Sequence, residues 1–96
     1  MHASEVSSLL RRGATGHVEI RPAWDGCGSF VLWAEVRNSG QMHAGVLGHE
    51  DGSPLRFIDP LRAHAMALRC GFSDSYIRMR WPPAAGATRG TRAQRA

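Results

Sequence analysis

The chain has no lysine: its twelve basic residues are all arginines. The plain reading is coding bias in a GC-rich genome, which also enriches Ala and Gly, rather than selection for guanidinium chemistry. Cysteine is scarce too, with only Cys27 and Cys70. Residues 1–12 lack the apolar stretch of a signal peptide, so the two cysteines read as free thiols of a cytoplasmic protein. No apolar run approaches the roughly 20 residues that span a bilayer, so no membrane role is expected. The C-x-x-C, H-x-x-x-H and paired-histidine spacings are missing, so the five histidines and two cysteines predict no metal site. No Gly-rich phosphate loop or nucleophile elbow occurs either. Cys27 has Asp25 as its near neighbour, which opposes thiolate formation rather than helping it. Glu50 and Asp51 read as turn formers. These absences predict a protein that is not an enzyme and carries no cofactor.

A sequence pI of 10.5 suggests a nucleic-acid partner until the charges are located. Residues 13–81 hold seven arginines and seven acids and are formally neutral. The net charge of +4 comes from the ends, where Arg11 and Arg12 face only Glu5 and where Arg89, Arg92 and Arg95 are unopposed. Residues 82–96 carry no large apolar side chain. Such a stretch cannot bury enough surface to offset its ordering entropy and is expected to be a disordered basic tail. The expected organisation is a short N-terminal helix or arm over residues 1–12, one α+β domain over residues 13–81, and the tail. At roughly 0.05–0.15 kcal/mol per residue, a core of that size supports about 3–10 kcal/mol of stability.

What is present is mostly architecture. The segment D-P-L-R-A-H-A-M-A-L-R-C-G at 59–71 is a helix with both ends marked. Asp59 suits the N-cap, Pro60 suits the first helical position and Gly71 suits a left-handed stop. Period-two alternation predicts strands over residues 17–24, 29–37 and 75–81, a weaker one over 41–48, and a short one over 55–58. The turn 25–28 has two glycines, and Asn38-Ser39-Gly40 predicts a second tight turn with Gly40 left-handed. Ser4 is the expected cap of the first helix and Gly13 its end. The order (α)-β-β-β-(β)-α-β describes a mainly antiparallel sheet of three or four strands with one main helix on one face. The expected core is Val18, Ile20, Phe30, Leu32, Val36, Leu61, Ala65, Leu68, Phe72, Ile77, Met79 and Trp81. Val18, Ile20 and Trp24 are expected on one side of their strand. The helix looks apolar on all but its Arg62–Arg69 ridge.

By parity, the other sheet face carries His17, Glu19, Arg21, Val31, Trp33, Glu35, Arg37, Tyr76, Arg78 and Arg80. A tryptophan on the outward side of a well-patterned strand is unusual, and Trp, Tyr and Arg are the residues that anchor interfaces. The expected function is a small non-enzymatic binding module, a protein–protein interaction or regulator protein. Its contact residues are Trp33, Tyr76, Arg21, Arg37, Arg78 and Arg80, and its partner has an acidic surface. The structural reading competes with this: the first helix covers Trp33 through Val6 and Leu10, while Glu19 and Glu35 pair with arginines across strands. The alternative function is weak nucleic-acid binding through the same face and Arg89, Arg92 and Arg95. Three phosphate contacts give a salt slope of only about −2 to −3. Pairing of two copies through edge strands stays open.

Overall fold

The computed structural model describes residues 1–24 and 28–80. The expected 25–28 turn, the core role of Trp81, the tail and its Arg89, Arg92 and Arg95 therefore lie wholly or mostly outside the described residues. The elements run α1 (Ala3–Arg11), β1 (Thr15–Pro22), β2 (Phe30–Asn38), β3 (Gln41–Val46), α2 (Pro60–Cys70), a 3-10 turn (Asp74–Tyr76) and β4 (Ile77–Met79). The four strands form one sheet in the order β3-β2-β1-β4. β1–β2 and β2–β3 are antiparallel, whereas β4 runs parallel to β1. The α+β class and the mostly antiparallel sheet follow the sequence pattern.

Local chemistry explains most element ends. Asp59 accepts the Arg62 N–H at 2.8 Å, and Gly71 takes φ +113°. The β2–β3 turn has positive φ at both Ser39 (52°) and Gly40 (82°), the geometry whose twist matches a two-residue hairpin. The N-cap of α1 lies two residues before the expected Ser4. His2 takes the N-cap position with no side-chain bond, and a parallel bridge to Gly48 fixes it. The expected strand over 55–58 reduces to isolated bridges, Phe30 with Phe57 and Gly48 with Pro54. Trp24 is not on the core side of β1. It lies past the strand end, 67% exposed, with the Arg56 guanidinium 5.6 Å from its ring.

The core lies between one face of the sheet and both helices. Val18, Ile20, Leu32, Ala34 and Val36 supply the sheet side, with Val6 from α1 and Leu47 and Phe72 from the connections. Ile77, Met79 and Phe30 pack at its margin. From α2 the buried residues are Ala63, Ala67 and Cys70. This corrects the expected core: Leu61, Ala65 and Leu68 point the opposite way, into solvent. The reason is volume. The sheet, α1 and Phe72 already provide the bulky side chains, so only a small-residue stripe lets α2 settle close to them. A Cβ on Gly71 would stand 3.4 Å from Leu10 Cβ, which shows how closely α1 crosses the end of α2. Because α1 and α2 share a face, α1 does not cover Trp33.

Candidate functional site

The face of the sheet away from the helices carries the expected contact residues, and the strand register decides their neighbours. Glu19 of β1 stands opposite Trp33 of β2 on one side and Arg78 of β4 on the other. His17 stands opposite Glu35, and Arg21 opposite Val31. The Arg21 guanidinium lies 4.7 Å from the Trp33 ring centre, a cation–π stack. Its Nε donates to Glu19 Oε1 at 2.8 Å, and its Nη2 reaches the same oxygen. Arg80 Nη1 donates to Glu19 Oε2 at 3.1 Å. Glu19 therefore sits in an arginine clamp, with its side chain 15% exposed. The hydrogen bond from Arg21 holds its carboxyl below the ordinary glutamate value, against the opposing effect of burial, and Arg80 adds to the depression.

Trp33 is thus half-buried under Arg21, and Val31 on the same face is fully buried. Glu35 faces His17 at 3.5 Å. Arg37 and Arg78 are exposed and form no ion pair among the described residues. Tyr76 is not in the strand row where parity placed it. It belongs to the 3-10 turn, is 56% exposed, and lines a cleft of about 420 Å³ with His17, Glu35, Arg37 and Phe72. The structure brings together Arg21, Trp33, Glu19 and Arg80. Arg37 and Tyr76 form a separate group at the other end of β1.

The other polar groupings link neighbouring segments of the chain. His64 Nε2 and Asp74 Oδ1 are 2.7 Å apart, and the pair ties α2 to the 3-10 turn. Ser73 and Ser75 bond to each other at 3.2 Å, and neither bonds to His64. Asp51 accepts from the Ser53 N–H at 2.9 Å and its hydroxyl at 2.6 Å, the turn role expected of it. Cys70 is buried, which pushes its thiol above the ordinary cysteine value. Among the described residues, no three His, Cys, Asp or Glu side chains converge on a point that could hold a metal ion. No described helix is long and apolar enough to cross a membrane.

Sequence reasoning missed a bare apolar stripe on α2. Leu61 is 81% exposed, Ile58 70% and Leu68 45%, with Ala65 exposed between the two leucines. Residues 61, 65 and 68 are spaced to form one stripe of α2. Arg62 and Arg69 run along one border of it; Arg62 keeps a 3.6 Å contact with Asp59, and Arg69 has no ion pair among the described residues. The signal was in the sequence as two apolar stripes on one helix, of which only one could face the sheet. No protein-family model matches the chain, and neither a curated protein nor a solved structure matches it.

Proposed function

We propose that this protein is a non-enzymatic protein-binding module that docks through the outer stripe of α2. The observation that carries this reading is the exposure of Leu61 and Leu68 on a helix whose other side already closes the core. Hydrophobic side chains aligned on one helix face are the usual anchors for a groove on a partner. Arg62 and Arg69 on the stripe's border favour a groove with an acidic rim, in keeping with the acidic partner expected from sequence. The sheet face supports this role less well. Its tryptophan is half-covered by Arg21, and Glu19 is satisfied within the protein.

The test is affinity capture from the source cell. Wild-type protein is compared with Leu61→Glu/Leu68→Glu and with Trp33→Ala, each first shown to be folded by circular dichroism. The expected result is a protein retained by wild type and Trp33→Ala and lost with the double variant. Retention by the double variant, with loss in Trp33→Ala, moves the interface to the sheet face. Capture of nucleic acid alone, abolished by truncation after Pro83, supports the weak nucleic-acid reading and removes this one.

A further inference from the structure

The outer edge of β3 is an open ladder. Leu47 N–H donates to Leu32 O at 2.9 Å, so the odd-numbered residues of this stretch turn their main chain toward β2. The amino terminus of Met1 reaches Val46 O at 3.3 Å from the other side, so the even-numbered residues turn theirs outward. Alternation then leaves the N–H and C=O groups of Met42 and Ala44 facing out of the sheet, with no partner among the described residues. Edge strands are normally guarded by charge, proline or a bulge. Residues 41–46 have no charged side chain and no proline, and their register against β2 is unbroken.

A cleft of about 730 Å³ borders this edge on the helix side, between α1 and β3. Glu5 and Ser8 line it from α1, Arg12 from the C-cap of that helix, and His43 and Ala44 from β3. Glu5 and Arg12 are both exposed and form no ion pair among the described residues. They stand seven residues apart, about 10.5 Å along the helix. A two-fold axis perpendicular to the sheet would pair β3 antiparallel with its copy and set the two α1 helices antiparallel on the same side. The two α1 helices then present Glu5 and Arg12 to each other in opposite order. The charges that border the cleft are therefore self-complementary under the symmetry that the edge requires.

We propose that β3 pairs antiparallel with β3 of a second copy, about a two-fold axis at His43, joining the two sheets into one. In this register Met42 of one chain exchanges both main-chain bonds with Ala44 of the other. Neighbouring registers use these free groups less well: one runs into Gly40 of the hairpin turn, the other into the Met1–Val46 contact. His43 then stands opposite its own copy in a non-hydrogen-bonded pair, where Cα atoms lie about 4.5 Å apart. The surface is distinct from the α2 stripe, and the pairing stands or falls without it.

Two experiments on the full chain test this. In a Cys27→Ser background, His43→Cys should cross-link to a disulfide dimer under mild oxidation, because about 4.5 Å lies within the Cα range a disulfide spans. Gln41→Cys, placed two residues off the axis, should not. Sedimentation equilibrium then measures dimerisation of wild type, Glu5→Arg, Arg12→Glu and the double reversal. Each single reversal should weaken the dimer at least about tenfold, and the double reversal should restore it. Both sites are exposed, so circular dichroism should show every variant folded. A monomeric wild type at high micromolar concentration overturns the proposal. So does a dimer that cross-links through Gln41→Cys but not His43→Cys, or one indifferent to both charge reversals.

Discussion

The orientation of α2 can be tested by exchanging bulk between its two stripes. Full burial of a leucine side chain is worth about 1.5–3 kcal/mol. Leu61 is 81% exposed, so about a fifth of that is at stake, and Leu61→Ala should cost only about 0.3–0.6 kcal/mol. Leu68 is 45% exposed, and its loss should cost about 1 kcal/mol. Ala67 is fully buried against the sheet, and Ala67→Leu forces extra methylenes into a filled space, at about 1–3 kcal/mol. Urea unfolding followed by far-UV circular dichroism reads these differences. With a slope near 1 kcal/mol per molar urea for so small a protein, Leu61→Ala should move the midpoint by only about 0.3–0.6 M. Ala67→Leu should move it by about 1 M or more. If Leu61 were in the core, its truncation would cost about 2–5 kcal/mol. A loss of that size at Leu61, or a neutral Ala67→Leu, refutes the inward-facing alanine stripe.

Gly16→Ala should be among the costlier single changes, because the new Cβ would lie 2.7 Å from Glu35 O and 3.2 Å from Phe72 Cε1. The cost should be about 1–3 kcal/mol, read as a drop in thermal midpoint of at least about 4 °C; an unchanged midpoint means that neither Glu35 O nor Phe72 crowds Gly16. Asp59→Ala removes the N-cap bond to Arg62 N–H and should cost about 1 kcal/mol, with Asp59→Asn close to neutral. Equal losses in both variants, measured in urea, would place the effect outside the cap. Glu19 binds its proton less readily folded than unfolded, so its contribution is full above the ordinary glutamate value and disappears as pH falls through the lowered one. Glu19→Gln should flatten that part of the acid limb of stability against pH, and an unchanged limb would show that the clamp does not matter to folding.

Local signals settled which elements exist, and the physics of each is short-range. Asp59, Pro60 and Gly71 bracket α2 because capping bonds and φ preferences depend on a few neighbouring residues. Ser39-Gly40 turns the β2–β3 hairpin for the same reason. Alternation in β2 named Leu32 and Val36 as core, since a strand has only two faces. The candidate surface was only half legible. Strand parity placed Arg21, Trp33 and Glu19 on one face, but it could not show that Arg21 would close over the ring. It also misplaced Tyr76, because the chain there is a 3-10 turn and not yet a strand.

Residue pattern and local chemistry were enough for the α+β class, the capped helix, the tight β2–β3 turn and the apolar face of each long strand. Tertiary structure alone decided which stripe of α2 met the sheet and that α1 lay beside α2 rather than over Trp33. It also decided that β4 closed the sheet parallel to β1. A wheel ranks faces by hydrophobicity, and by that measure Leu61 and Leu68 outrank Ala63 and Ala67. Packing ranks them by the space left over once every other element has contributed its volume, and that space took in Ala63, Ala67 and Cys70, with Met66 at its margin.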